Sequence, residues 1–126
     1  MNPRTFFIVD DDTMLNEMLT DYLHEQFPFV RIKAFHTGEE CLAHLSDRPD
    51  LVILDYYLNP REKDAANGLD ILKEVKAWRK DMPVIMLSAQ KHYAVAAKSI
   101  SYGATHYVVK SEDAFREVRD IIESSF

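Results

Sequence analysis

The sequence has little cysteine, little glycine and no long apolar run, and each shortage excludes a class of protein. Its single cysteine, Cys41, cannot form an internal disulfide and gives no support for a structural zinc site. With 3 glycines, 5 prolines and no low-complexity tract, residues 1–126 are expected to form one domain. No segment approaches the ~18 consecutive apolar residues of a membrane span, and the N-terminus lacks a signal peptide's apolar run. A cytoplasmic protein is therefore expected.

Positive charge is also scarce. The chain has 15 Lys and Arg against 21 Asp and Glu, a net charge of −6. An acidic surface repels phosphate groups, so the charge argues against contact of this domain with nucleic acid or an anionic membrane. The length of 126 residues and the 47% hydrophobic content suffice for a proper core.

Five short apolar runs, rich in β-branched residues, predict five strands. The second alternates apolar residues with Arg31 and Lys33, as an edge strand does. The others are nearly continuous, which is typical of parallel strands covered on both faces. The runs cover residues 5–9, 30–35, 51–54, 84–87 and 106–109.

Helical periodicity between these runs predicts five helices. Strict alternation of strand and helix predicts a flavodoxin-like, doubly wound α/β domain, with a five-stranded parallel sheet in the order 2-1-3-4-5. The apolar stripe of the first helix, including Met14 and Met18, is expected in the core together with Trp78. Asp12 or Thr13 is predicted to cap the first helix, and Thr37 with Glu40 to form a capping box at the second. The fourth helix is predicted to begin at His92 and to end at Gly103, and Ser111 precedes two acids, Glu112 and Asp113, that suit the start of the fifth.

Polar side chains follow four of the predicted strands. Because the carboxyl ends of parallel strands share one edge of the sheet, these side chains are expected to meet there. The first strand runs directly into three aspartates, in FIVDDDTM, of which Asp12 is expected to cap the helix. The full set is Asp10, Asp11 and Asp12 after the first strand, Asp55 after the third, Ser88 after the fourth and Lys110 after the fifth.

Carboxylates placed together need a counter-charge. Two of them ~4 Å apart repel by roughly 4 kcal/mol at an effective dielectric of ~20, a cost that folding alone does not require. A divalent cation removes the repulsion, and all-oxygen ligands favour Mg²⁺ over zinc. Carboxylates, Mg²⁺, the Ser88 hydroxyl and the Lys110 ammonium are together typical of phosphoryl transfer, in which a carboxylate can itself be the nucleophile.

The segments IVDDD, LVILD, MLSA and YVVK, in this order, resemble those of the receiver domains of bacterial two-component response regulators, the CheY-like family. The resemblance covers nearly the whole chain. It implies that Asp55 accepts a phosphoryl group from a sensor histidine kinase or a histidine phosphotransfer protein. It also implies a Mg²⁺ site with Asp11 and Asp55 as direct ligands, Asp10 acting mainly through water, and the main-chain carbonyl of Tyr57 as a further ligand.

The same resemblance implies a switch. Lys110 would pair with the phosphoryl group, Ser88 would move towards it, and Tyr107 would turn inward into the space vacated. The surface formed by helix 4, strand 5 and helix 5 would then rearrange, as a population shift driven by a local change of charge. The domain would catalyse its own phosphorylation and dephosphorylation, and the sequence leaves open whether phosphorylation also makes a homodimer. In the family, helix 1 and the loop before helix 5 meet the histidine donor.

Two features depart from the family. Gly68 comes thirteen residues after Asp55, later than the glycine that opens helix 3 in other receivers. The extra residues, within 59–67, are either a tolerated surface insertion or a contact for a partner. Lys110 precedes Ser111 where receivers have a proline in a cis peptide, so this bond either keeps cis at a cost of ~3–4 kcal/mol or relaxes to trans.

Three other functions compete. A haloacid-dehalogenase-type phosphatase would use the Asp-x-Asp of Asp10 and Asp12, but it needs a later acidic pair and has Thr or Val where Met14 stands. A flavodoxin-type electron carrier needs a phosphate-binding loop after the first strand, which an aspartate run would repel. A degenerate receiver would act as an unphosphorylated interaction module, although the acceptor, the acidic pair and the lysine are all present. The chain ends after the fifth helix, so it is either a stand-alone receiver or a piece of a longer protein.

Overall fold

The computed structural model describes residues 3–58, 67–89 and 93–126. Strands and helices alternate through these ranges. The strands are β1 (Thr5–Val9), β2 (Arg31–Phe35), β3 (Leu51–Asp55), β4 (Val84–Ser88) and β5 (His106–Val109). The helices are α1 (Thr13–Gln26), α2 (Gly38–Ala43) followed by a 3₁₀ turn (Leu45–Asp47), α3 (Gly68–Trp78), α4 (Tyr93–Ser101) and α5 (Ala114–Ser125).

The five strands form one parallel sheet in the order β2-β1-β3-β4-β5, which confirms the predicted fold. The charged, alternating strand β2 lies at one edge, and its Lys33 pairs in register with Phe7 of β1. The apolar strands β1, β3 and β4 lie inside the sheet. Because β1 and β3 are neighbours while β2 lies on the far side of β1, the winding direction reverses between β1 and β3, where doubly wound folds bind ligands.

The alternation of side chains along the strands produces two cores, one on each face of the sheet. Phe7, Leu54 and Met86 point to the face that α2 and α3 cover. Phe6 and Ile53 point to the opposite face, where they pack with α1 and α5. All five side chains are at most 1% exposed, and burial of such a side chain stabilises the fold by about 1.5–3 kcal/mol.

Three helices begin at side-chain caps. The Asp12 carboxylate accepts the Leu15 N–H at 3.1 Å, which confirms Asp12 as the cap of α1. Thr37 caps α2 by accepting the Glu40 N–H at 3.1 Å, but the Glu40 side chain accepts the Thr37 hydroxyl and not its backbone N–H, so only half of the predicted capping box forms. Asn67 caps α3 in a capping box with Asp70, a pair that the sequence analysis did not identify.

The start of α3 is packed tightly against the end of β3. The Gly68 N–H donates to the Tyr56 carbonyl at 2.9 Å. A Cβ atom at position 68 would collide with the Asp55 carbonyl oxygen and the Tyr56 backbone, so only glycine fits there. The late glycine therefore occupies a junction that fixes α3 directly beside Asp55.

Some predicted positions were wrong. Met14, Met18 and Trp78 were expected in the core, but they are 70%, 54% and 43% exposed. The buried face of α1 instead follows Asn16, Leu19 and Leu23, so the helix is rotated away from its methionines. The apolar stripe was wide enough to allow either rotation.

The start of the fifth helix was also misplaced. Ser111 and the two acids after it form a turn, and α5 begins at Ala114 with Asp113 as a cap that makes no side-chain hydrogen bond. The predicted start of helix 4 at His92 lies outside the described residues. Cys41 is buried, and no helix in the described ranges is long and apolar enough to cross a membrane.

Candidate phosphoryl-transfer site

Four polar side chains meet at the carboxyl edge of the sheet, at the end of β1, β3, β4 and β5. We call Asp10, Asp55, Ser88 and Lys110 the polar rim. Asp55 and Ser88 are the last residues of β3 and β4, and Asp10 and Lys110 directly follow β1 and β5. Three of the four are almost completely buried: Asp10 is 1%, Asp55 4% and Ser88 0% exposed. The sequence analysis predicted all four, and the sheet order brings them together.

Lys110 is the cation of the polar rim. Its Nζ lies 2.9 Å from Asp10 Oδ2 and 3.3 Å from Asp55 Oδ1, so one ammonium is shared by two buried carboxylates. Its backbone N–H donates to the Ser88 carbonyl at 2.8 Å, which fixes the start of the side chain relative to β4. One positive charge therefore faces two negative charges.

Asp10 is held at each of its polar atoms. Its N–H donates to the Phe35 carbonyl at 3.0 Å, and its Oδ1 accepts the Asp12 N–H at 2.9 Å. Its Oδ2 forms the ion pair with Lys110 at 2.9 Å. Asp11, by contrast, is exposed.

Asp55 is held more loosely. Its Oδ1 accepts the Tyr57 N–H at 3.3 Å, so the Tyr57 backbone borders the site. Burial raises the pKa of the Asp55 carboxyl to about 7, and the Asp10 charge adds to the rise. Lys110 and the Tyr57 N–H lower this pKa but do not compensate. The ionised form of Asp55 is therefore disfavoured by its own surroundings.

The other groups of the site respond to the same charges. Burial lowers the pKa of Lys110, but the hydrogen bond with Asp10 and the charges of Asp55 and Asp10 outweigh this effect, so the pKa is raised. Burial raises the pKa of Tyr107, and a hydrogen bond with the Ser88 side chain opposes the rise. The predicted switch residues Ser88 and Tyr107 are thus in direct contact.

The carboxylates have the composition and spacing of a site for a hard cation. Asp10, Asp11 and Asp55 each offer an oxygen, and the three oxygens lie within 4.8 Å of one another. All-oxygen ligation fits Mg²⁺ or Ca²⁺ and disfavours zinc. Two buried carboxylates, Asp10 and Asp55, share the one ammonium of Lys110, so one negative charge has no counter-charge among these three groups. The residues present therefore fit a divalent cation.

One residue of the site was not predicted. Asn16, on the buried face of α1, is 2% exposed and donates its side-chain N–H to the Asp10 carbonyl at 2.8 Å. The signal was available, because Asn16 lies three and seven residues before Leu19 and Leu23 and so shares their helix face.

Two open points concern the loops around the site. The Lys110–Ser111 peptide bond is trans. Of the two predicted alternatives, a costly cis bond or relaxation to trans, the structure therefore has the second. Residues 59–66, which contain nearly all of the long loop, lie outside the described residues.

A doubly wound sheet with carboxylates, instead of a phosphate-binding loop, at its switch point defines the class of the protein. The chain matches the response regulator receiver domain family over residues 6–123, and it belongs to this family. It is 32% identical over 106 residues to the transcriptional regulatory protein CssR of Bacillus subtilis, covering 84% of this chain and 44% of that protein. The regulator CpxR of Klebsiella pneumoniae is 36% identical over 103 residues, covering 82% and 41%. The chain thus spans less than half the length of these relatives.

Solved structures agree in fold. The CheY-like receiver domain protein from Methanospirillum hungatei superposes with a TM-score of 0.82 at 22% identity, covering 98% of this chain and 93% of that one. CheY in the CheX-CheY-BeF3-Mg²⁺ complex from Borrelia burgdorferi gives 0.83 at 22% identity, covering 98% and 90%. The chain is a receiver domain of the two-component signalling type.

Proposed function

We propose that this receiver domain accepts a phosphoryl group on Asp55 from a sensor histidine kinase or a histidine phosphotransfer protein, with Mg²⁺ bound by the carboxylates. The observation that carries the proposal is the convergence of two buried carboxylates, Asp10 and Asp55, on the single ammonium of Lys110. The negative charge of such a site exceeds its positive charge, and the charges become balanced when a cation and an anionic phosphoryl group are both present.

The chemistry follows from the positions of these groups. An Asp55 oxygen attacks phosphorus, the new P–O bond forms as the P–N bond to the donor imidazole breaks, and the imidazole leaves with the electron pair and takes a proton from solvent. The Lys110 ammonium, beside Asp55 Oδ1, stabilises the charge on the transferred group. In dephosphorylation, water attacks the same phosphorus, and the aspartyl P–O bond breaks to release inorganic phosphate and the free carboxylate.

Asp11 and Asp55 are the proposed direct ligands of Mg²⁺, with the Tyr57 carbonyl, while Asp10 acts mainly through water. When bound, Mg²⁺ supplies positive charge for the phosphoryl oxygens and removes the repulsion between the carboxylates. The spacing of the three carboxylates supports this assignment. A further support is the similarity in fold to a CheY protein whose complex contains BeF3 and Mg²⁺.

The proposed docking site for the histidine donor is a groove of about 350 Å³ beside Lys110, between α1 and the segment that leads into α5. Leu15, Met18 and Phe115 line its apolar wall, and the exposed Met18 gives the groove an accessible hydrophobic edge. A cytoplasmic location, where such donors present their histidines, is part of the same proposal.

The proposed output is a rearrangement of the surface formed by α4, β5 and α5. Ser88 and Tyr107 are hydrogen-bonded to each other, so movement of the Ser88 hydroxyl towards a phosphoryl group would break this contact and release Tyr107. The change would then reach the exposed side chains of α4, among them Tyr93 and Ile100, where a target protein or a second copy of the chain would bind.

The test is labelling with a small phosphodonor. The protein is incubated with acetyl phosphate and Mg²⁺, and its intact mass is measured. We expect a gain of one phosphoryl group that is lost without Mg²⁺, absent in Asp55→Asn and strongly reduced in Asp11→Asn.

Asp12→Asn is the matched control, because it removes a neighbouring negative charge while asparagine caps a helix as well as aspartate does. It should be labelled like the wild type. Labelling of Asp55→Asn would identify another acceptor. A wild type that gains no mass and binds no Mg²⁺ would mean that the domain is a degenerate receiver, which acts as an interaction module without being phosphorylated. No observation in the site favours that alternative.

A further inference from the structure

Asn16 is a polar residue in an apolar position. It lies on the same face of α1 as Leu19 and Leu23, both 0% exposed, and is itself only 2% exposed. Its side-chain oxygen is buried and has no hydrogen-bond partner among the described residues. An apolar side chain would avoid the cost of this unpaired oxygen. Asn16 therefore needs an explanation other than packing.

The amide nitrogen of Asn16 provides one. It donates to the Asp10 carbonyl at 2.8 Å and contacts the Phe35 carbonyl at 3.3 Å. Carbonyl oxygens can only accept hydrogen bonds, so the NH₂ group and not the oxygen must face them. The Phe35 carbonyl also accepts the Asp10 N–H at 3.0 Å. One side chain thus connects the ends of β1 and β2.

The Asp10 carbonyl has a special place in the chain. It belongs to the peptide unit that joins Asp10 to Asp11, the two acidic residues that the proposed function assigns to Mg²⁺. Because a peptide unit is planar, holding its carbonyl oxygen fixes the direction in which the chain continues into Asp11. Asp11 is exposed, and no hydrogen bond of its side chain appears in the described ranges, so the position of its Cα relative to Asp10 follows from this peptide unit.

From this geometry we propose that Asn16 is a positioning residue, which orients the Asp10–Asp11 peptide unit and thereby sets the relative placement of the two carboxylates for Mg²⁺. The inference rests on the proposed function, because it concerns the same site. Residues that orient metal ligands without touching the metal contribute about 10- to 100-fold to metal affinity.

The experiment measures the Mg²⁺ dissociation constant of the unphosphorylated protein by isothermal titration calorimetry. The variants are Asn16→Leu, which keeps the volume but has no donor, and Asn16→Ser, which is too short to reach the Asp10 carbonyl. We expect a dissociation constant about tenfold higher in both. In the metal-free variants, the ¹⁵N resonance of the Asp11 amide should shift, since this amide shares its peptide unit with the carbonyl that loses its donor.

Thr20→Val is the matched control. Thr20 lies one turn further along α1, and its hydroxyl is also buried without a partner in the described part of the chain. Valine has nearly the same shape, so this variant changes a buried polar atom of the same helix without altering a contact to Asp10. Its Mg²⁺ affinity should stay within about twofold of the wild type, and its Asp11 resonance should not move.

The outcomes separate the two proposals. A wild type that binds no Mg²⁺ contradicts the proposed function itself. A wild type that binds Mg²⁺, with Asn16 variants that bind it equally well, overturns the positioning role and leaves Asn16 as a purely structural link. An equal loss of affinity in Thr20→Val would also overturn it, because the effect would then follow from general disturbance of α1. If Asn16→Leu does not fold, Asn16→Ser alone decides.

Discussion

The middle of the sheet and the polar rim at its carboxyl edge are built from the same strands, yet their side chains affect folding in opposite directions. On β3, Leu54 and Asp55 are neighbours, 0% and 4% exposed. Leu54 gains free energy from being buried, whereas burial of Asp55 raises its pKa to about 7 and so disfavours its charged form. Adjacent residues that are both buried can thus belong to regions with different roles. The middle of the sheet stabilises the fold, and the polar rim gathers buried charged groups at some cost to that stability.

The largest expected effect is in the middle of the sheet. Leu54→Ala should lower the free energy of unfolding by about 3 kcal/mol, because it removes buried methyl groups and leaves a cavity. The measurement is urea unfolding at pH 8 without Mg²⁺, followed by circular dichroism. A loss below about 1 kcal/mol would mean that the core collapses around the change.

At the next residue of β3, the change in the free energy of unfolding should have the opposite sign. Asp55→Asn should raise the free energy of unfolding by about 2 kcal/mol at pH 8 without Mg²⁺, since the neutral amide avoids burial of a charge. The folded-state pKa of about 7 lies above the ordinary 3.8, so the native carboxyl holds its proton more strongly than the unfolded one. Its contribution to stability is complete below pH 3.8 and is lost as the pH rises to about 7.

The pH profile is the control for this variant. The advantage of Asp55→Asn over the wild type should shrink as the pH falls from about 7 towards 4, where the wild-type carboxyl is itself neutral. Addition of Mg²⁺ at pH 8 should stabilise the wild type more than the variant. An advantage that does not change with pH would point to packing as its cause instead of charge.

A smaller loss is expected when the cation of the polar rim is removed. Lys110→Met should lower the free energy of unfolding by about 1 kcal/mol at pH 8 without Mg²⁺. The cost stays small because the pKa of Asp55, which Lys110 lowers, would rise further, and the carboxyl would then take up a proton at pH 8 in place of the lost cation. Urea unfolding measures the effect, and a loss as large as that of Leu54→Ala would show that Asp10 and Asp55 both stay ionised.

The smallest effect on stability should come from the docking groove. Met18 is 54% exposed, so Met18→Ala should change the free energy of unfolding by less than about 0.5 kcal/mol. Labelling by acetyl phosphate should be unaffected, whereas phosphoryl transfer from a histidine phosphotransfer protein should slow. Equal slowing with both donors would place the effect at Asp55 and not at the groove.

The comparison also explains how much of the structure could be predicted from the sequence. The strands, their order and the polar rim were predictable, because apolar runs and the residues after them follow directly from backbone periodicity and sheet topology. The rotation of α1 was not, because Met14, Met18 and Leu19 fall on one broad stripe and only packing decides which part is buried. Asn16 was missed for a related reason: asparagine is usually exposed, and its burial depends on a carbonyl that the fold brings to it.

The junction at Gly68 has a consequence for how this domain could vary in evolution and be altered by design. The chain leaves β3 and returns at α3 through the hydrogen bond from the Gly68 N–H to the Tyr56 carbonyl at 2.9 Å, so the two ends of the connection touch. A segment whose ends already meet adds little loop-closure entropy when it is lengthened. The connection can therefore act as an interchangeable module beside Asp55. The residues of this connection can be exchanged while Gly68 keeps α3 in place beside Asp55. Gly68 itself cannot be exchanged, because a Cβ atom there would collide with the backbone of Asp55 and Tyr56.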